Sequence, residues 1–430
     1  MMGPSITILG SLAAMLLGRL WVGFALIGAG LVTLFFFQDL PATKLLAFEA
    51  WHSLNSPELA ALPLFILMGE ILFFTRFPKD LFDGLQPWAS HIPGRLYHLN
   101  ILGCSLFAAV SGSSAATTNT IGRMTLKELD DRGYDRTLAI GSLCGAGTLG
   151  FLIPPSIILI LYGVLAEVSI LDLFLAGILP GVLLSLMFMA YIAAITLKNP
   201  GLLPKITEQK PTWMDKLCGL YKISPVLLLI VAVLGSLYMG VASPSEAAVL
   251  GVTGALIIAA VKRELNWDRL RESLKACVLT TSMIGLILAG ALFLTRVMAF
   301  LEIPSSLAAG IDALGLPPLL LIPVLLLFYI MLGMILDGLS VVVITLPIVL
   351  PLIVAAGFDP LWFGIFIVIT VEMAQITPPV GFNLFVVQNL TGENINTIAK
   401  AAFPFFLIMA GFALLIALFP AIVTIVPDLL

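Results

Sequence analysis

Hydroxyl, carboxylate and glycine residues that could bind an ion or a small anion interrupt otherwise apolar sequence at two places. The first run is Ser111-Gly112-Ser113-Ser114-Ala115, followed by Thr117 and Asn119, and the second begins at Asp337-Gly338. An unpaired polar backbone group costs several kcal/mol in a bilayer unless protein or a watery cavity surrounds it. A carboxylate at the bilayer centre costs at least about 2.5 kcal/mol and usually marks a functional path. We therefore interpret both runs as parts of a binding site.

A double proline follows each polar run, as Ile153-Pro154-Pro155-Ser156 and as Thr377-Pro378-Pro379. Because proline removes a backbone donor and clashes within a helix, each pair predicts a helix that is broken into two halves. The N-terminus of a half-helix offers partial positive charge to an anionic group. Carbonyl, hydroxyl and carboxylate oxygens suit a hard cation such as Na⁺.

Structural roles remain open for several of these side chains. Small residues are enriched where membrane helices pack together, which is the alternative for the serines and threonines of the first run. Asn119 and Asn383 are equally consistent with packing hydrogen bonds, and Glu372 with a charge at a helix end. For Glu70 a structural pairing is the favoured interpretation, and Arg123 is interpreted as a determinant of topology.

The elements that must position these residues are membrane helices. Of the 430 residues, 60% are hydrophobic and 11% charged, whereas soluble domains carry about 25% charged residues. A spanning helix needs about 20 apolar residues, which leaves room for roughly ten to twelve spans. The net charge of −4 and the lack of a basic domain argue against nucleic acid as a partner. The sequence contains no clustered His, Asp and Glu motif and no phosphate-binding loop, so we predict that the chain is not an enzyme.

The two polar regions belong to an internal repeat. Gly133-Tyr134-Asp135 matches Gly357-Phe358-Asp359, and the first double proline matches the second, both at an offset of 224 residues without a gap. The loops at 198–222 and 262–275 are rich in lysine and arginine, which marks them as cytoplasmic. Counting spans from these loops places both termini outside and opens the two polar regions to opposite sides. Inverted repeats with broken helices are typical of secondary transporters.

We therefore predict an all-α polytopic membrane protein, built as an inverted repeat with two re-entrant helical hairpins and two broken helices. The first part of the chain is predicted to contain N-terminal scaffold spans with an interfacial arm helix at 1–56 and a first repeat core at 57–197, with its hairpin at 97–122 and its broken helix at 137–167. A cytoplasmic loop at 198–222 follows. The second part is predicted to contain second scaffold spans with an arm helix at 223–275 and a second repeat core at 276–430, with its hairpin at 319–352 and its broken helix at 361–391.

Four motifs together resemble a known family. They are the run Ser111–Ala115, Ile153-Pro154-Pro155-Ser156, the run Gln375-Ile376-Thr377-Pro378-Pro379-Val380-Gly381-Phe382-Asn383, and Pro63-Leu64-Phe65-Ile66-Leu67-Met68-Gly69. With the repeated Gly-Tyr-Asp turn, they are similar to the large membrane subunit of the tripartite ATP-independent periplasmic (TRAP) transporters. The resemblance covers essentially the whole chain, and the second proline motif is quite specific.

This resemblance implies a permease of the bacterial inner membrane, with periplasmic termini, that imports a small organic acid by Na⁺ symport. The architecture implied is that of an elevator-type ion-transporter superfamily, in which a domain carrying both hairpins slides against a scaffold. A periplasmic substrate-binding protein would deliver the acid, and a separate small membrane subunit would complete the scaffold, since the chain looks like the unfused form. Na⁺ is the expected coupling ion, and no organic cofactor is expected.

Other functions stay open at this point. The alternative within the same superfamily is a stand-alone Na⁺-coupled dicarboxylate carrier that needs no binding protein. From a different class, a membrane enzyme would show a catalytic cluster, and a channel would need no Na⁺ coupling.

The resemblance also assigns site residues at the two hairpin tips and the two breaks. The first Na⁺ site would comprise Ser111, Gly112, Ser113, Ser114, Gly150 and Pro154. The second would comprise Asp337, Gly338, Glu372, Gln375, Thr377 and Pro378. The substrate would contact Ser114, Thr117, Asn119, Pro155, Ser156, Ser340, Pro379 and Asn383.

Overall fold

The computed structural model describes residues 2–38, 41–204, 211–303, 306 and 318–429. These residues form nineteen α-helices, joined by short 3₁₀ turns and loops. In chain order the helices are α1 (Met2–Leu17), α2 (Val22–Phe37), α3 (Ala42–Leu54), α4 (Ala61–Phe73), α5 (Phe77–Ala89), α6 (His98–Ser111), α7 (Ser114–Asp131), α8 (Arg136–Gly147), α9 (Ile157–Ala166), α10 (Ile170–Lys198), α11 (Trp213–Tyr238), α12 (Pro244–Val261), α13 (Trp267–Phe300), α14 (Pro318–Gly333), α15 (Gly338–Ala355), α16 (Pro360–Gln375), α17 (Phe382–Thr391), α18 (Ile395–Leu418) and α19 (Ala421–Leu429).

Six of the described helices are at least 18 residues long and apolar enough to cross a bilayer, namely α10, α11, α12, α13, α15 and α18. Helices α4 and α5 together would count as a seventh, but they meet at an angle of 71°. Five further apolar helices have 10–17 residues: α1, α2, α9, α14 and α16. The described residues thus contain fewer full spans than the ten to twelve predicted, because polar tips and prolines divide the apolar sequence into shorter helices.

Two helices that are buried along almost their whole length form the centre of the fold. Every residue from Leu138 to Gly147 of α8 is buried, and so is every residue from Trp362 to Gln375 of α16. A helix that is apolar on all sides can only be accommodated in an interior. Helix α18 packs against both of them. On α16, the ring of Trp362 stacks on the rings of Phe358 and Phe366, with centroids 5.3 and 5.1 Å apart.

Matching turns precede these two buried helices. Gly133 and Gly357 both adopt a positive φ, of 77° and 83°, which glycine tolerates without a steric penalty. Asp135 and Asp359 then cap α8 and α16, because each side chain accepts a backbone N–H of the first helical turn at 2.8 Å. The repeated Gly-Tyr/Phe-Asp motif is therefore a turn followed by an N-cap. The same order of hairpin, capped helix and double-proline break occurs in both halves of the chain.

Each half contains one hairpin whose tip reaches the interior. In the first, α6 packs against α7 and the chain turns at Gly112, which has a φ of 56°. In the second, α14 packs against α15 and the tip ends at Asp337, whose side chain caps α15. The peptide bonds Pro154-Pro155 and Pro378-Pro379 are both cis. Each double proline separates two half-helices, α8 from α9 and α16 from α17.

The N-terminal helices lie against the long helix α13. Helix α13 packs on α2, α3 and α4, and it also contacts α15 of the second hairpin. Helix α12 packs on α4, and α11 packs on α5 and α12. The turn between α1 and α2 contains Arg19 in a left-handed conformation with a φ of 61°. Helix α13 therefore lies between the N-terminal helices and the second hairpin.

Several element boundaries differ from the predicted ones. Helix α7 continues to Asp131, beyond residue 122 where the first hairpin was predicted to end. Helix α11 begins at Trp213, inside the predicted loop 198–222, because Thr212 and Asp215 form a capping box at its start. The predicted second arm helix continues without a break into the second repeat core, as the single helix α13. Residues 205–210 of the loop and the connector at 307–317 lie outside the described residues.

Candidate binding site between the two hairpin tips

The first hairpin tip lies directly against the first double-proline break. The backbone N–H of Ile157, at the start of α9, donates to the carbonyl oxygen of Gly112 at 3.4 Å. A Cβ on Gly112 would lie 2.9 Å from the carbonyl oxygen of Pro155. A Cβ on Gly150 would lie 2.5 Å from Cα of Ser114. The absence of side chains at these two glycines therefore allows the tip and the break to touch.

Ser114 connects the two halves of the chain at this point. Its Oγ accepts a hydrogen bond from Asn383 Nδ2 at 2.6 Å, on α17. The same Oγ lies 2.9 Å from Glu372 Oε2 on α16 and 3.0 Å from the carbonyl oxygen of Gly147 on α8. One hydroxyl thus contacts α8 in its own repeat and both half-helices, α16 and α17, of the other repeat.

Two buried oxygens beside Ser114 have no hydrogen-bond partner within the described residues. They are Glu372 Oε1 and Asn383 Oδ1, and both residues are only 1% exposed. Leaving a buried polar atom unpaired costs about 1–3 kcal/mol, and more for a charged group. Carboxylate and amide oxygens are ligands that hard cations prefer. The arrangement therefore has the chemistry of a cation site.

The second hairpin tip lies against the second break through a different set of contacts. Gln375 Nε2, at the end of α16, donates to the carbonyl oxygens of Leu336 at 3.2 Å and Gly333 at 3.4 Å. The N–H of Gly381 donates to the carbonyl oxygen of Met334 at 3.3 Å. Asp337 Oδ2 accepts from the N–H of Ser340 at 3.2 Å, so this carboxylate caps α15. The two tips are chemically unequal, one built on hydroxyls and the other on a carboxylate.

A cavity of about 980 Å³ lies between the two tips and the helices α2 and α13. Two carboxylates line it, Glu70 on α4 and Asp337 at the second tip. No lysine, arginine or histidine is among its lining residues in the described parts of the chain. The lining includes nine of the residues assigned from the sequence: Ser111, Ser113, Ser114, Asn119, Asp337, Gly338, Ser340, Gln375 and Asn383.

Several assigned residues lie behind this lining. Glu372, assigned to the second tip, lies at the first tip beside Ser114. The Thr117 hydroxyl is 2.8 Å from Ser111 Oγ, and Ser156 caps α9 while its hydroxyl donates to the carbonyl oxygen of Phe151. Thr377 donates to the carbonyl oxygen of Met373 at 2.9 Å.

The double prolines also lie outside the cavity lining. Pro154 and Pro155 are buried, and Pro378 is half-buried while Pro379 is exposed. A direct role of these prolines in binding stays a prediction, and their observed effect is to separate the half-helices.

The wall opposite the tips was not predicted from the sequence. It is formed by Trp21 to Phe24 at the start of α2 and by residues of α13 between Leu279 and Ile287. These stretches are apolar apart from Thr280, Thr281 and Ser282 on α13, so neither composition nor spacing distinguishes them from ordinary lipid-facing helix. A structural pairing is the favoured sequence interpretation for Glu70, whereas the structure places this residue in the cavity lining.

Comparison with models of protein families matches residues 9–422 to the family described as tripartite ATP-independent periplasmic transporter, DctM component. The C4-dicarboxylate TRAP transporter large permease protein DctM of Pseudomonas aeruginosa is 34% identical over 93% of each chain. The sialic acid TRAP transporter permease protein SiaT of Haemophilus influenzae is 30% identical over 88% of this chain and 61% of that protein. The ectoine/5-hydroxyectoine TRAP transporter large permease protein UehC of Ruegeria pomeroyi is 27% identical over 94% of this chain and 93% of that protein.

A solved structure supports the architecture. The YdaH transporter of Alcanivorax borkumensis, described as having an unusual topology, matches with a TM-score of 0.62 over 87% of each chain, at 13% sequence identity. At this identity the likeness concerns the fold alone. Together with the helical content, it confirms the predicted all-α polytopic class.

Proposed function

Because the chain belongs to the family of tripartite ATP-independent periplasmic transporters, as their large membrane component, we propose that it imports a small organic acid in symport with Na⁺. It is a multi-pass membrane protein, and the relatives are permeases rather than enzymes. In this proposal the chain lies in the inner membrane of a bacterium with its termini in the periplasm. A periplasmic binding protein delivers the acid, and a small membrane subunit completes the scaffold.

The charge of the cavity between the two hairpin tips is the observation that carries this proposal. Its lining contains the carboxylates of Glu70 and Asp337 and, among the described residues, no basic side chain. An organic anion that enters such a cavity is repelled unless cations enter with it, because like charges repel strongly in a low-dielectric interior. Bound Na⁺ would reverse the local charge, which makes uptake of the anion depend on the cation.

Two groups of oxygens are proposed to hold the coupling ions. At the first tip they are Ser114, Glu372 and Asn383, where two buried oxygens have no hydrogen-bond partner among the residues that the structure describes. At the second tip they are Asp337 and its neighbours around the break after Gln375. The N-termini of α7, α9, α15 and α17 begin at these tips and breaks and would offer their partial positive charge to the acid.

An elevator-type movement is proposed for alternating access. Helix α7 of the first hairpin packs against α17, and α15 of the second hairpin packs against α9. Each hairpin therefore contacts the half-helix beyond the break in the other repeat, which supports movement of both tips as one body. Helices α2 and α13 form the opposite wall of the cavity and are the proposed fixed surface.

Uptake into proteoliposomes tests the proposal. Radiolabelled succinate, sialic acid and ectoine would be supplied under an inward Na⁺ gradient, first to the chain alone and then with its small subunit and binding protein. We expect uptake of at least one acid, and only in the complete set. Equal uptake by the chain alone would instead identify a stand-alone carrier, and absence of uptake in every combination would contradict the proposed function.

A further inference from the structure

The large cavity must recognise an anion without a basic side chain among its described lining residues. Its side-chain hydrogen-bond donors are therefore amides, hydroxyls and the indole N–H of Trp21. Asn119 is one of these donors and lies on α7, half-buried in the lining. An amide can present either its oxygen or its nitrogen to a ligand, so the orientation of Asn119 decides whether the cavity attracts or repels a carboxylate at this position.

Arg123 fixes that orientation. It lies one helical turn beyond Asn119, at the i,i+4 spacing that brings side chains together on one face of a helix. Its Nε donates to Asn119 Oδ1 at 3.2 Å. Because a guanidinium group has donors and no acceptor, it holds the amide oxygen toward itself. The two N–H groups of Asn119 Nδ2, which no described residue engages, are left for a ligand.

Arg123 also carries a charge that no carboxylate in the described parts of the chain neutralises by a salt bridge. By contrast, Arg136 on the next helix pairs with Asp130 and Glu393. Arg123 lines a second cavity of about 350 Å³, to which Lys127 also contributes. The hydrogen bond to Asn119 therefore places the positive charge of Arg123 next to a side chain that lines the large cavity.

We propose that Asn119 donates a hydrogen bond to a carboxylate of the transported acid and that Arg123 is the positioning residue that orients the amide for this purpose. The inference rests on the proposed function, since it concerns the same cavity and the same class of substrate. It adds a residue outside the cavity lining that sets the preference for an anion.

Four variants of the complex with the small subunit separate this role from a structural one. Asn119→Asp is the most informative, because the new carboxylate pairs with Arg123 but offers no donor and repels an anion. Arg123→Met removes both donor and charge, whereas Arg123→Lys keeps a donor and the charge. Lys127→Met is the matched control. It removes a positive charge one helical turn beyond Arg123 on α7, and Lys127 does not line the large cavity.

The acid used is the one that the wild type transports fastest among succinate, sialic acid and ectoine. Two quantities are measured on the detergent-solubilised complex: its Kd for this acid, and its melting temperature in the absence of acid. For Asn119→Asp we expect a Kd raised about tenfold or more, as for loss of a hydrogen bond to a charged group. Its melting temperature should be unchanged or higher. Arg123→Met should raise the Kd several-fold, and Arg123→Lys and Lys127→Met should stay close to the wild type.

Two results would overturn the inference. One is wild-type affinity in Asn119→Asp. The other is an equal loss of affinity in Arg123→Lys and Arg123→Met that tracks a lower melting temperature, which would indicate a structural contact only. Absence of uptake of all three acids by the wild type would be a different failure, because it would contradict the proposed function and this inference with it.

Discussion

Ser114 forms contacts with both repeats of the chain. Its hydroxyl contacts three groups, on α8, α16 and α17, and each of these contacts is buried. A hydroxyl is the smallest group that can accept one hydrogen bond and donate another. A cation bound at Glu372 Oε1 and Asn383 Oδ1 would be held by the two residues that Ser114 orients.

We predict that Ser114→Ala weakens both folding and ion binding. The substitution leaves Asn383 Nδ2 and Glu372 Oε2 without their partner, and each buried group left unpaired costs about 1–3 kcal/mol. The melting temperature of the purified chain should fall by several degrees, and added Na⁺ should no longer raise it. The control is Ser105→Ala, which removes a hydroxyl on α6 that bonds Ile101 and Ser185 instead. If both variants responded to Na⁺ like the wild type, Ser114 would have no part in the ion site.

Nine of the residues assigned from the sequence line the cavity, whereas the contacts that they make were not predicted. Ser114, Asp337 and Asn383 stand out because polar side chains are expensive in apolar sequence. Nothing in the sequence indicates that Glu372 lies beside Ser114, 258 residues away. That contact depends on how two broken helices cross, which is a property of tertiary packing. The Asn119–Arg123 contact is local, and its i,i+4 spacing was a signal that could have been used.

At the scale of elements, the contact between hairpin tip and helix break depends on glycine. We predict that Gly150→Ala separates them, because the new Cβ would lie 2.5 Å from Cα and 2.6 Å from N of Ser114, both backbone atoms. Na⁺-driven uptake should fall by more than about tenfold, because an increase of about 1.4 kcal/mol in the activation free energy of transport already lowers the rate by that factor.

The matched control for this variant is Gly235→Ala. Gly235 lies within α11, where a Cβ would have no neighbour within 4 Å, and replacing a helical glycine by alanine favours the helix. Uptake and expression of the control should equal or exceed those of the wild type. Normal uptake in Gly150→Ala would show that close docking of the tip is unnecessary.

Local rules explain which elements were predicted well. The two Gly-Tyr/Phe-Asp motifs start helices and the double prolines end them, and both act within a few residues. The bounds of these helices are close to the predicted ranges. The start of α11 was missed even though Thr212 and Asp215 form a capping box, because the lysines of this stretch favoured a loop. The continuity of α13 through its basic beginning was missed for the same reason.

At the scale of the whole molecule, the cavity is formed by elements that are distant in sequence. The tips come from both repeats, and the opposite wall comes from α2 and α13. The repeat offset predicts that the two tips correspond, but it contains no information about which apolar helices face them. The charge of the cavity, with two carboxylates and no basic residue among its described lining, is therefore a result that only the assembled structure provides.

The dependence of uptake on Na⁺ tests the central claim most directly. In the complete set, initial uptake of the transported acid would be measured with Na⁺ outside only, with Na⁺ equal on both sides, and with choline in its place. Asp337→Asn would be tested in parallel, because asparagine still caps a helix but has no charge. We predict uptake only under the inward Na⁺ gradient, with the half-saturating Na⁺ concentration raised about tenfold or more in the variant. Uptake that persists in choline, or an unchanged Na⁺ requirement in Asp337→Asn, would contradict the account.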